Sequence, residues 1–176
     1  MTAAAAVRVA AGTWSVSDSR TTVGFSVGGL GGTVHGSVPC SWGELVVDAA
    51  GEPVRVRAEV DLTGLDTGIA KRDADLRRPR FLDVDRQPIL SWSADRFTPA
   101  AGGGWVAEGT LSVRGTTAPL PLTGRVEEMH PDSGWLRVRA SAEIDRTAVG
   151  IRAPAVLVGR RVAIEVDAWL VPGAGS

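Results

Sequence analysis

Ten charged side chains crowd residues 71–86: Lys71, Arg72, Asp73, Asp75, Arg77, Arg78, Arg80, Asp83, Asp85 and Arg86. Carboxylates at this density can form an acid–base pair, the arrangement that glycoside or phosphoester hydrolysis requires. On that reading Asp73, Asp75 or Asp83 would make the chain a small hydrolase or isomerase. The spacing argues against it. Asp73 and Asp75 are two apart and point to different faces of a helix, and no histidine or evident nucleophile lies nearby in sequence. The competing reading is a solvated helix whose Arg72 and Asp73 tie a loop to the rest of the fold. His35 and Cys40 have the residue types of a nucleophilic couple. Five residues along a strand span up to about 17 Å, so they read instead as a structural histidine and a small buried thiol. His130 sits in a loop-like run with no visible metal-ligating partner.

Composition narrows the classes further. Two histidines and one cysteine exclude a three-histidine metal site, a cysteine-rich zinc site and an intrachain disulfide. Nineteen basic against twenty acidic residues give a net charge of −1, which offers nucleic acid no electrostatic footprint. Gly102–Gly104 lacks the Lys-Ser/Thr and the strand-to-helix context of a phosphate loop. No cofactor and no metal are expected. The longest apolar stretch, Met1–Gly12, is alanine-rich and interrupted by Arg8, too short to span a membrane and a poor secretory signal. Residues 1–11 read as a loose tail, 12–172 as one domain and 173–176 as a second tail, on a chain expected in the cytoplasm.

The elements that must position these residues follow a period of two. Val54, Val56, Ala58, Val60 and Leu62 alternate with Arg55, Arg57, Glu59 and Asp61. The same alternation runs through Leu136, Val138, Ala140, Ala142 and Ile144, and again through Val162, Ile164, Val166, Ala168 and Leu170. Such strands bury one face and wet the other, the habit of antiparallel sheets. Weaker candidates lie near 13–17, 21–28, 33–39, 42–48, 89–97, 105–113 and 117–127, separated by glycine-rich turns. Long strands in one sheet leave edges that closure removes. The fold class is therefore all-β: a closed antiparallel barrel, with one short helix within 66–80 that Thr67 could cap. Alanine at inward positions 58, 140, 142 and 168 leaves room inside. An apolar lumen without a convincing catalytic set points to a carrier of a greasy molecule.

Ordered motifs strengthen this reading. Trp14–Asp18 with Val23–Val27, Leu65–Gly68, Arg72–Leu76 with Phe81–Val84 and Pro88–Trp92, Gly109–Leu120, and Ile144–Ile151 together resemble the YceI-like, polyisoprenoid-binding, lipocalin-like family over nearly all of residues 12–171. Gly29 and Asp75 stand where that family often has histidine, and Leu82 replaces the second phenylalanine of its Phe-Phe-Asp motif. The resemblance implies an eight-stranded barrel capped by a helical segment, often a homodimer, that encloses a long isoprenoid and has no known catalysis. Arg72, Asp73, Phe81, Asp83, Gly109, Gly115, Arg146 and Gly150 fall on its motifs as structural residues. The function expected is binding, and carrying or sequestering, of a polyisoprenoid, isoprenoid quinone or similar lipid. The residues expected to touch it are Phe25, Val27, Val56, Ala58, Val60, Leu136, Val138, Ala140, Ala142, Ile144, Val162, Ile164 and Val166.

Overall fold

A computed structural model describes residues 9–29, 31–130, 132–151 and 158–173. Ten strands follow in order: β1 (Gly12–Val16), β2 (Thr22–Gly29), β3 (Gly32–Val38), β4 (Cys40–Val47), β5 (Pro53–Asp61), β6 (Ile89–Pro99), β7 (Trp105–Val113), β8 (Thr116–His130), β9 (Trp135–Asp145) and β10 (Val158–Pro172). Among the described residues, one helix, α1 (Ala70–Leu76), and 3-10 turns at Leu62–Gly64 and Arg146–Val149 accompany the strands. Every ladder is antiparallel, in the order β1-β4-β5-β6-β7-β8-β9-β10-β2-β3, and β1 pairs back onto β10. β2 lies along the first part of β10 and β1 along its last three residues. β3 and β4 lie end to end opposite them, broken at Pro39. Ten strands thus make eight barrel staves, which reconciles the ten strand-like runs with an eight-stranded barrel.

Strand direction separates the two ends. α1, the 61–89 connection, the Arg114–Gly115 turn and the Arg146–Val149 turn gather at one end, the helical end. The turns near 48–52, 100–104 and 132–134, with the start of β1, lie at the other, the hairpin end. Each end has its own plug. Leu62, Leu65, Val84, Val113 and Val149 are buried together at the helical end. Trp14, Val47, Leu136, Ala168 and Leu170 are buried together at the hairpin end. Val9 joins the second cluster with 4% of its surface exposed. Residues 1–8 and 174–176 lie outside the described residues.

Local chemistry explains the motif glycines. A Cβ on Gly109 would sit 2.3 Å from the Trp92 ring, so only glycine lets that indole lie flat across β7. The ring's Nε1–H then donates to the Leu120 carbonyl at 2.9 Å. Arg114 and Gly115 both adopt positive φ, 56° and 71°, the pair of left-handed residues that a two-residue hairpin turn needs. Arg114 then reaches the carbonyls of Gly150 and Pro79, clamping two segments of the helical end together.

Two expectations are corrected. Thr67 does not cap α1; Ile69 is the N-cap residue and makes no side-chain cap. The helix is held instead by the Thr67 contacts described below. Val54 does not face inward: it is 41% exposed. The β4–β5 register slips between Val46↔Arg55 and Val47↔Pro53, so Val54 is an extra bulged residue and Pro53 takes the inward place.

Gly109→Ala is expected to lose about 1–3 kcal/mol in urea unfolding, the usual cost of overpacking. Gly28→Ala is the control, because nothing lies within 4 Å of a Cβ there. Equal stability of the two variants would contradict the packing of Trp92 on Gly109.

Candidate functional site

Between the two plugs lies a cavity of about 400 Å³, within the ~300–1,000 Å³ of small-molecule sites. Its lining runs from Leu76, Phe81, Leu82 and Ile151 at the helical end to Pro53, Phe97 and Trp105 at the hairpin end, and its surface is almost wholly carbon. The alternation built this. Each inward residue of β5, β9 and β10 contributes aliphatic carbon, while its neighbours Arg57, Glu59, Arg139, Ser141 and Glu165 point outward. Phe25, Val27, Val56, Ala58, Val60, Val138, Ala140, Ile144, Val162, Ile164 and Val166 all line the cavity. Leu136 and Ala142 do not. Leu136 is fully buried in the hairpin-end plug, and Ala142 packs against the helical-end one. Both have inward parity; Leu136 lies near the hairpin end of β9, whereas Ala142, between the lining residues Ala140 and Ile144, packs into the helical-end cluster. Sequence reasoning missed Trp92, Leu111, Leu120 and Leu122, which also line the cavity. The spacing Ala118, Leu120, Leu122 was the signal that could have found the last two.

One charged group is buried against this apolar space. Arg146, 4% exposed, lines the helical end of the cavity. Its Nε–H donates to the Gly159 carbonyl and an Nη1–H to the Ile151 carbonyl, both at 2.9 Å. The guanidinium thereby holds the Arg146–Val149 turn to β10. Gly150 closes that turn with a left-handed φ of 78°.

The aspartates of the charged segment take separate structural roles. Asp73 Oδ1 accepts from the backbone N–H and the hydroxyl of Thr67. Arg72 donates to the Thr67 hydroxyl and carbonyl, each at 2.8 Å. The Thr67 hydroxyl, then the Thr67 amide and the charges of Arg77 and Arg72, hold the Asp73 carboxyl below the usual carboxylate range. Asp75 pairs with Arg78 at 3.5 Å on the surface. Asp83 acts through its backbone: φ is 51°, a region that aspartate tolerates better than most residues, and its carbonyl accepts from the Arg86 and Gln87 amides.

His35 and Cys40 fall on opposite faces of their strands. His35 is exposed, whereas Cys40 is buried and lines the cavity. Burial pushes the Cys40 thiol up, away from the thiolate form. His130 stacks on Trp135 with centroids 3.6 Å apart. Among the described residues, no group of three His, Cys, Asp or Glu could hold a metal ion. No helix among them is long and apolar enough to cross a membrane.

A closed eight-stave antiparallel barrel, capped by a helical segment around a carbon-lined cavity, is the lipocalin-like architecture. A family profile described as YceI-like domain matches residues 14–170, and the chain belongs to that family. Solved structures share the fold. The Burkholderia cenocepacia protein BcnA is 16% identical with a TM-score of 0.75, covering 88% of this chain and 98% of its own. A polyisoprenoid binding domain from Saccharophagus degradans, implicated in plant cell wall breakdown, is 12% identical with a TM-score of 0.67 over 90% and 98% of the two chains. The Campylobacter jejuni YCEI protein is 15% identical with a TM-score of 0.64 over 77% and 83%. No protein of curated function matches in sequence.

The lowered carboxyl of Asp73 sets the sign of a pH effect, and Asp145 and Asp167 are lowered too, by Thr147 and Arg137 respectively. Groups held below their unfolded values stabilise the fold above about pH 4, and that stability is lost as pH falls through the folded values. Stability is therefore expected to decline on acidification from the ordinary aspartate range downward. Asp73→Asn should be less stable than wild type at neutral pH and should show a shallower acid decline. An identical decline in both proteins would contradict the role assigned to the Thr67–Asp73 contact.

Proposed function

We propose that this chain binds a long apolar amphiphile, a polyisoprenoid, isoprenoid quinone or similar lipid, in the barrel lumen, and carries or sequesters it without chemical conversion. The observation that carries this reading is the cavity itself. A closed barrel of this strand number can be filled by its own side chains, yet this one keeps about 400 Å³ lined by carbon. Water gains little in such a space, and an aliphatic chain gains about 0.8 kcal/mol per buried CH₂. Nearly every polar group at the wall is turned outward or bonded to backbone, so the lumen selects for hydrocarbon and leaves a polar headgroup outside. Membership of the family and the polyisoprenoid-binding neighbour support the same ligand class. The carboxylates of 73–85 favour no enzymatic alternative, because Asp73 is committed to Thr67 and Asp75 to Arg78.

Ala140→Phe tests whether this space is used. Ala140 lines the cavity, whereas Ser141, one residue along, is exposed. In a filled core the added ring would cost about 1–3 kcal/mol. In a cavity it occupies free volume. Ligand-free Ala140→Phe is expected to melt near wild type while its uptake of retinol, an intrinsically fluorescent isoprenoid, falls sharply. Ser141→Phe should change neither. Wild type that takes up no retinol or longer isoprenol, together with strong destabilisation of Ala140→Phe, would overturn the reading.

A further inference from the structure

Among the described residues a buried cluster packs at each end of the barrel, and along its side the strand ladders break at one place that leads to the lumen. β5 and β6 pair from Asp61↔Ile89 to Val56↔Ala94 and then stop. Both strands continue: β5 starts three residues earlier at Pro53, and β6 runs five residues further to Pro99. Two bulges part them. Val54 is the extra residue of β5 against β4, as shown above. On β6, the register steps from Ala94↔Gly109 to Phe97↔Ala107, so Asp95 and Arg96 together face the single residue Glu108. Extending the β5–β6 register by two residues would set Val54 against Arg96. The two bulges therefore fall opposite each other, and each bends its strand away from the shared ladder.

The gap leads inward. Pro53 on one side and Phe97 on the other both line the cavity, as does Trp105 beside them at the start of β7. A side-chain hydrogen bond spans the gap at its outer end. The indole Nε1–H of Trp105 donates to Glu52 Oε2 at 3.0 Å, linking the β4–β5 turn to the β6–β7 hairpin. Val54 stands at the rim with 41% of its surface in solvent, an apolar residue exposed where an apolar chain would arrive.

We propose that the slot between β5 and β6 at the hairpin end is the side entrance to the lumen, with Glu52–Trp105 as its latch. This rests on the lumen binding proposed above. The ligand chain threads between Pro53 and Phe97, and the β6–β7 hairpin moves as one unit because its own ladder, out to Pro99↔Trp105, stays intact. No β5–β6 ladder pairing has to break, since the ladder between these strands ends at Val56↔Ala94.

A cleavable tether tests the route. Val54→Cys with Arg96→Cys, joined by a reducible bismaleimide, spans the slot. Ser141→Cys with Glu165→Cys, paired across the β9–β10 ladder, carries the same tether elsewhere. Both are made in a Cys40→Ala background, and retinol transfer from phosphatidylcholine vesicles is followed by stopped flow. The slot tether is expected to slow uptake by about tenfold or more, as a closed gate does, with recovery on reduction and no effect of the control tether. Glu52→Ala, which removes the acceptor of the latch at a residue outside the cavity lining, should speed both uptake and release with a Kd within about twofold of wild type, because a gate alters rates and not the bound state. Normal uptake through the tethered slot would overturn the entrance while leaving lumen binding intact. Untethered protein that binds no retinol at equilibrium would overturn both.

Discussion

β1 is five residues long, and it is hydrogen-bonded to β4 on one side and to β10 on the other. Without that double pairing the sheet would be an open ribbon, with the edges of β4 and β10 exposed at the hairpin end. Closure turns one face of every stave inward at once, and the rest of the structure depends on it. Trp14 sits at the centre of this seam, paired with both Leu45 and Pro172. Its indole N–H donates to the Ala10 carbonyl at 3.0 Å, which satisfies the one polar atom it carries into the hairpin-end plug. Closure and plugging of that end are thus achieved by the same residue.

A closed ring does not by itself leave space. The lumen stays hollow because small inward residues, Ala58, Ala140 and Gly124, sit at mid-height while larger ones crowd the two ends. The ends do the stabilising, with Leu62, Leu65 and Val84 buried at one and Leu136 and Leu170 at the other. Polar devices hold the caps in place: Arg72 and Asp73 on Thr67, Arg114 on Gly150 and Pro79, Arg146 on Gly159 and Ile151. Each places a charged group against backbone carbonyls or amides, where hydrogen bonding substitutes for water. The middle is then free to be chosen for a ligand and not for packing.

Much of this was legible in the sequence, and the failures share a cause. The alternation at 136–144 and 162–170 fixed which side chains face inward, because a period of two survives any change of register by two. It could not say at what height a residue sits. Leu136 was therefore expected at the ligand and is found in the plug. A bulge breaks the alternation without leaving a mark in composition, so Val54 was expected inside and lies outside. The expectation that Thr67 caps the helix chose the right residue and the wrong partner, since its hydroxyl serves Asp73 and Arg72 across the turn. Contacts between distant segments, such as Trp105 with Glu52 or Arg114 with Pro79, leave no local pattern for sequence reasoning to find.

The central claim is that the hollow is kept for a hydrocarbon ligand, and the most direct measurement is native mass spectrometry of the freshly purified protein followed by organic extraction. A bound apolar amphiphile, seen as added mass on the folded chain, lost on unfolding and recovered in the extract, is the expected result. A folded protein of bare chain mass that also gains no mass when incubated with polyisoprenols, isoprenoid quinones or phospholipid vesicles would contradict the account.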